Sequence, residues 1–216
     1  MKKQRETFWY WFGKKFATPI FRILFPVRVN NPERILEKGP LVVCSNHVCM
    51  KDPIYLALYP KRQMFYMAKK ELFDHKLVGF ILRRLGAFAI ERGTGDTGKA
   101  KQILGGGGAV GIFIEGTRSK DGKLGRPKNG AVMLAHEFHA PILPVCITTP
   151  TGLPPKNFER VILSYGEVIQ PEDLGIREGT PSEYRQASRM VMDRIAQLRA
   201  RDEETFRRER EAKAAK

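Results

Sequence analysis

Residues 41–53 read LVVCSNHVCMKDP, and the fold is decided inside them. Leu41 to Ser45 is a short, unbroken apolar run rich in branched residues, as expected of a strand covered on both faces. Asp52-Pro53 then opens a helix. Proline disfavours helical geometry in the residue before it but suits the first helical position, which makes Asp52 a natural N-cap. A buried strand feeding a helix through a short loop is the building unit of an α/β layered domain.

The alternation continues in both directions. Branched and aromatic runs at Met64–Ala68, Gly86–Ile90, Val110–Ile114, Ile142–Ile147 and Val161–Tyr165 predict further strands. Helical patterns cover Pro53–Tyr59, Lys76–Leu85, Thr97–Leu104, Gly130–Phe138 and the chain from Pro181 onward. The expected fold is a layered mixed α/β sheet flanked by helices, with a strand order that periodicity does not set. Gly105 to Gly108 follow a helix and precede a strand, so they read as a helix stop and turn instead of a phosphate loop. A chain of 216 residues accommodates one catalytic domain. We place it at residues 30–200, between an N-terminal arm (1–29) and a charged helical tail (201–216) of the kind that frays in solvent.

The arm is distinctive. Residues 8–29, FWYWFGKKFATPIFRILFPVRV, crowd aromatics among cations, with Pro19 and Pro26 dividing them into one or two short helices. Apolar side chains of such a segment enter the headgroup boundary while Lys14, Lys15 and Arg22 meet anionic headgroups, as in an amphipathic membrane-surface helix. The alternative is a helical hairpin packed on the domain. Lys14 and Lys15 split the apolar stretches far below the roughly 20 residues of a spanning helix. Cys44, Cys49 and Cys146 form an odd, scattered set, and no leading segment has the order of a secretory signal. The expectation is a peripheral protein on the cytoplasmic side of a membrane. Lys and Arg total 38 against 23 acidic residues, a formal charge of +15 that favours phosphates, acidic carriers, anionic lipid or nucleic acid. No nucleic-acid motif is present, which makes a basic nucleic-acid binding protein the distant alternative.

The chemistry starts at His47 and Asp52. Five positions along an ideal helix rotate by about 500°, leaving the side chains roughly 140° apart, so a loop must bring the pair together. Asp52 at a helix start can accept one bond from the backbone and another from His47, fixing the imidazole tautomer and stabilising imidazolium. A second segment, Phe113-Ile114-Glu115-Gly116-Thr117-Arg118-Ser119, leaves a strand with a glycine for close approach, two hydroxyls and a guanidinium fork suited to phosphate. A third strand ends at Arg92 and a fourth at Lys69-Lys70. Open α/β sheets bind ligands beyond the carboxyl ends of their strands, so these loops are expected to converge. Cys49 is a rival nucleophile, since thiolates attack thioesters. His136-Glu137-Phe138-His139 places two histidines on one helical face but falls one residue short of H-E-x-x-H, and reads as a structural helix.

Taken together, these segments resemble the 1-acylglycerol-3-phosphate acyltransferase family: N-H-x-x-x-x-D, G-x-x-x-I-x-R, F-x-E-G-T-R-S and a late proline-rich strand, here Pro141-Ile-Leu-Pro-Val-Cys-Ile147. The similarity spans about residues 20 to 200. It implies His47 as catalytic base and Asp52 as its partner, with Lys69, Arg92, Glu115, Gly116, Thr117 and Arg118 shaping the substrate site. It further implies lysophosphatidate as acceptor, acyl-CoA or acidic acyl carrier protein as acyl-donor cosubstrate, and no metal cofactor. Glycerol 3-phosphate and other lysophospholipids are alternative acceptors. Ile114 stands where the family usually has proline, and Cys49 where it often has serine.

Overall fold

The computed structural model describes residues 8–84, 86–90 and 97–215. Along the chain run α1 (Phe8–Leu24), β1 (Val27–Asn30), β2 (Leu41–Ser45), α2 (Asp52–Leu58), β3 (Met64–Lys69), α3 (Lys76–Arg84), β4 (Ala87–Ile90) and α4 (Gly98–Gly105). They are followed by β5 (Ala109–Phe113), α5 (Gly130–Glu137), β6 (Ile142–Thr148), β7 (Val161–Tyr165) and α6 (Pro181–Ala214). The strands form one seven-stranded sheet in the order β1-β7-β6-β2-β5-β3-β4. Every neighbouring pair is parallel except β6 and β7.

β2 is central, and all five of its residues are buried. Its alternation builds two cores. Val42 and Cys44 pack with residues of α4, α5 and α6, including Ile103, Val132 and Val191. Leu41 and Val43 pack on the opposite face with Tyr55 and Leu56 of α2 and with Phe21 and Phe25 around the end of α1. With both faces covered, truncating Leu41 to alanine is expected to cost about 2–5 kcal/mol.

Between α4 and β5 the chain turns as the glycines predict: the Gly108 N–H donates to the Ile103 carbonyl and Gly107 has φ 75. At the start of the chain the structure differs from expectation. α1 runs through Pro19 unbroken to Leu24. Pro19 and Lys15 are both exposed, so the Lys15 carbonyl that loses its helical donor is open to water. Val27 to Val29, assigned by composition to the arm, begin the sheet: β1 pairs with β7 from Val27↔Val161 to Asn30↔Ser164. The charged tail also differs, because it is the continuous end of α6 and buries Asp202 and Phe206. Asp202 accepts from Ser164 Oγ at 2.7 Å and Thr148 Oγ1 at 2.8 Å, which ties α6 to β7 and β6.

Candidate active site

Asn46 is the first residue beyond β2, and its side chain fixes how the chain leaves the sheet. Nδ2 donates to the Ile147 carbonyl at 2.9 Å, and Oδ1 accepts the Ile147 N–H at 2.8 Å. One amide thus completes the ladder between β2 and β6 past Ser45↔Val145. His47 leaves the sheet from a fixed point.

The loop then closes on Asp52. Oδ2 lies 2.7 Å from His47 Nδ1 and accepts the N–H groups of Val48 at 2.6 Å and Cys49 at 2.8 Å. The Cys49 thiol donates to Oδ1 at 3.1 Å. The Asp52 side chain is fully buried, so these donors replace water around it. A carboxylate encircled by donors is an acceptor for the Nδ1 proton, which leaves the Nε2 lone pair facing outward. The His47 side chain is 17 % exposed, and Nε2 has no hydrogen-bond partner among the described residues.

Asp52 reaches this position differently from the sequence reading. Lys51 is the N-cap of α2, without a side-chain cap bond, and Asp52 is the first helical residue. Its oxygens turn back onto the preceding amides because the Cys49–Asp52 turn, closed by the Asp52 N–H to the Cys49 carbonyl at 3.3 Å, points those amides at them. The carboxylate caps the loop instead of the helix.

The Phe113–Ser119 segment holds His47 from the other side. The imidazole stacks on Phe113 with centroids 3.9 Å apart and planes 11° from parallel. The His47 N–H donates to Glu115 Oε1 at 3.0 Å, and its carbonyl accepts the Ser119 N–H at 2.9 Å. Glu115, expected among the substrate ligands, is buried, and Oε2 accepts the Gly125 N–H at 2.7 Å. Both its oxygens are therefore used by main chain. Gly116 follows at φ 71, a conformation that favours glycine. A side chain there would also meet Lys128, whose Cδ and Nζ come within 3.0 and 3.1 Å of an added Cβ. The Lys128 ammonium thus lies beside the turn that carries Thr117 and Arg118, both exposed.

Lys69 closes β3, paired in register with Ile90 at the end of β4. Its backbone is at the same carboxyl edge of the parallel strands as Ser45 and Phe113, while its side chain lies outside those described. Arg92 lies outside the described residues. Burial, reinforced by the Asp52 charge and hydrogen bond, pushes the Cys49 thiol up to about 12. It stays protonated at neutral pH, the unreactive form. The two late histidines do not share a helical face: α5 ends at Glu137, His139 has φ 45 and pairs with Glu172, and His136 bonds the Tyr184 hydroxyl.

Lys128 is the neighbour that sequence reading did not single out, while Asn46, Phe113 and Ser119 stood in the quoted motifs without these contacts to the His47 loop. Asn46 immediately precedes His47, but its partner is 101 residues away. Lys128 is legible only once the chain is seen to return to Ile114, whose carbonyl accepts the Lys128 N–H at 2.8 Å.

Residues 26–148 match the Acyltransferase family. A 1-acyl-sn-glycerol-3-phosphate acyltransferase of Bacillus subtilis is 35% identical over 147 residues, covering 64% of this chain and 72% of that protein. The enzyme of the same name from Streptococcus pneumoniae is 30% identical over 139 residues, and the match spans 51% of its length. The crystal structure of the 1-acyl-sn-glycerophosphate (LPA) acyltransferase from Thermotoga maritima superposes with a TM-score of 0.69 at 27% identity, covering 86% of this chain and 77% of that one.

Proposed function

The chain belongs to the acyltransferase family, among the 1-acyl-sn-glycerol-3-phosphate acyltransferase enzymes, and from that premise we propose that it acylates the sn-2 hydroxyl of lysophosphatidate, using an acyl thioester and forming phosphatidate in phospholipid biosynthesis. The observation that carries the reading is the orientation of His47: Nδ1 engaged by buried Asp52 at 2.7 Å, and Nε2 left open at the carboxyl edge of the sheet.

In this mechanism Nε2 takes the hydroxyl proton as the acceptor oxygen bonds to the thioester carbonyl carbon. The tetrahedral intermediate collapses with cleavage of the C–S bond, and the leaving thiolate recovers the proton from Nε2. Asp52 stabilises the imidazolium between the two steps. No acyl-enzyme forms. General base action contributes about 10²- to 10⁴-fold, with positioning and oxyanion stabilisation supplying the rest. Arg118 leads in binding the acceptor phosphate, with Gly116 and Thr117 in the same turn, Lys69 and Arg92 as further cations, and Lys128 beside Gly116.

The lipid acceptor is met at a membrane surface on the cytoplasmic side, through α1. This helix packs on the domain along one side, where Tyr10 is buried and Phe21 meets Tyr55 edge-on at 5.1 Å. Its other side presents Phe12, Phe16, Ile23 and Leu24 to solvent together with Lys15 and Arg22. No described helix is long and apolar enough to cross a bilayer.

The test offers purified protein lysophosphatidate and glycerol 3-phosphate, each with acyl-CoA and with acyl carrier protein as donor. Phosphatidate formed from lysophosphatidate is expected, and preferential acylation of glycerol 3-phosphate overturns the assignment. Flotation with anionic liposomes, repeated with Phe16→Ser/Ile23→Ser, tests the arm: undiminished binding of the variant contradicts it.

A further inference from the structure

Between β6 and β7 the chain runs through residues 149–160, TPTGLPPKNFER, and leaves Leu153 and Phe158 exposed. Phe158 is 66 % exposed and has φ 64, a left-handed conformation that a bulky residue adopts only where its surroundings impose it. Its N–H donates to the Leu24 carbonyl at 2.7 Å, and the Val161 N–H donates to the Pro26 carbonyl at 2.9 Å. Within the loop, Glu159 Oε2 accepts the Lys156 N–H at 2.9 Å, and Thr149 Oγ1 donates to the Leu153 carbonyl at 2.8 Å. An aromatic ring is thus held out in water on a strained backbone, at a position where folding alone favours glycine or asparagine.

The topology puts this ring beside the end of α1. β6 is parallel to β2, so the loop leaves the carboxyl edge of the sheet, as the His47 loop does. β7 returns antiparallel to β6, and β1 pairs with β7 from Val27↔Val161, which brings the end of α1 to the same edge. Lys51, at the end of the His47 loop, touches both segments: Nζ lies 3.9 Å from the centre of the Phe25 ring and donates to the Pro155 carbonyl at 3.5 Å. Among the described residues ten large apolar side chains are exposed, and Ile23, Leu24, Met50, Ile54, Leu153 and Phe158 all belong to these three segments. Exposed apolar side chains scattered singly are ordinary, whereas six gathered at one edge mark an interaction surface.

The surrounding charge selects the partner. Phe158 borders a hollow of 420 Å³ with Pro150 and Phe206, and Arg210 and Lys213 of α6 stand at its rim. The acids nearby are engaged, Glu209 with Arg28 and Arg160, and Glu159 with the Lys156 amide. Lys156, Arg210 and Lys213 are exposed and form no salt bridge with a described residue. Apolar tips ringed by such cations suit the headgroup boundary of an anionic bilayer. A second copy of the chain would set the same cations against one another, which like-charge repulsion opposes.

We infer that the β6–β7 loop is a second membrane-binding element, in which Phe158 and Leu153 enter the headgroup boundary of an anionic bilayer beside Ile23 and Leu24. The inference rests on the membrane-surface reading of α1 and adds an element distant from it in the sequence. A domain held to a bilayer by one helix can roll about the helix axis. A contact off that axis removes the freedom, and Lys51 keeps the His47 loop in register with both.

The test uses the full chain, Leu153→Ser/Phe158→Asn and Phe158→Trp, with flotation on phosphatidylglycerol-containing vesicles, thermal melts and light scattering. Asparagine adopts the left-handed backbone readily, so the double variant should melt no lower than the wild type. It is expected to need about tenfold more anionic lipid for half-maximal flotation, while Phe158→Trp binds at least as well as the wild type. Flotation of the double variant at wild-type lipid overturns the inference, as does a loss matched by a lower melt, which would make Phe158 a packing residue. A tryptophan variant that binds as weakly as the double variant, or a wild-type dimer that the double variant dissociates, overturns it too. Undiminished flotation of Phe16→Ser/Ile23→Ser counts against α1 instead, and wild-type protein that does not float overturns both readings.

Discussion

Glu115 grips the main chain at His47: Oε1 accepts the His47 N–H at 3.0 Å while Oε2 accepts the Gly125 N–H at 2.7 Å. A side chain so engaged is placed to act on catalysis through the position of the histidine. Glu115→Gln retains one acceptor and sets an amide NH₂ against a backbone N–H. The variant is expected to lose about 1–3 kcal/mol of stability. Its kcat should fall by about 10- to 100-fold through misplacement of His47, with KM for the acceptor little changed. Steady-state kinetics paired with thermal melts check this. A rise in acceptor KM at wild-type stability would make Glu115 a direct ligand.

Asp52 is predicted to matter for tautomer and charge as much as for packing. Asp52→Asn preserves shape but removes the negative charge opposite imidazolium and offers one acceptor oxygen where four donors now converge. Turnover should fall by about 10²-fold or more, within the range of a general base contribution. A variant within a few-fold of wild type in single-turnover acyl transfer would remove Asp52 from the mechanism.

The sheet was legible because its strands are buried, and buried strands are written as apolar runs: six of the seven announce themselves this way. β1 did not, because Val27-Arg28-Val29-Asn30 is an edge strand with Arg28 exposed and follows directly from an aromatic helix. Pro19 misled for a related reason, since a proline on a solvent-facing side of a helix releases a carbonyl that water satisfies. Helical geometry showed that only a loop could join His47 to Asp52, and the resemblance supplied the reason to pair them. The role of Glu115 was not legible, because a carboxylate reaching amides at positions 47 and 125 leaves no trace in local spacing. The same holds for the Asn46 amide joined to Ile147.

Cys49 should prove dispensable as a nucleophile. With its thiol pushed up to about 12, chiefly by burial, it remains protonated throughout the physiological range and donates to Asp52. Cys49→Ser, which keeps a donor, is expected to transfer acyl chains at close to the wild-type rate, and iodoacetamide should modify Cys49 slowly in the folded protein. Loss of single-turnover activity in Cys49→Ser with the fold intact would reinstate a covalent route.

Asp202 gives a pH signature unconnected with catalysis. Burial raises its carboxyl above the ordinary value of 3.8, although Ser164, Thr148 and Asn30 donate to it and oppose the shift. The folded chain therefore keeps this proton at a pH where the unfolded chain has released it. The contribution of Asp202 to stability is greatest in acid and declines as pH rises from near 3.8 through the raised value. Asp202→Asn should flatten that part of the stability profile. Denaturant midpoints of wild type and variant, compared from acid to neutral pH, provide the measurement, and parallel profiles would contradict it.

The central claim is that His47 Nε2 removes the acceptor proton, and single-turnover acyl transfer by His47→Ala tests it most directly. With a thermal melt and lysophosphatidate binding like those of the wild type, the variant is predicted to transfer acyl chains about 10²- to 10⁴-fold more slowly; transfer within a few-fold of the wild-type rate would contradict the account.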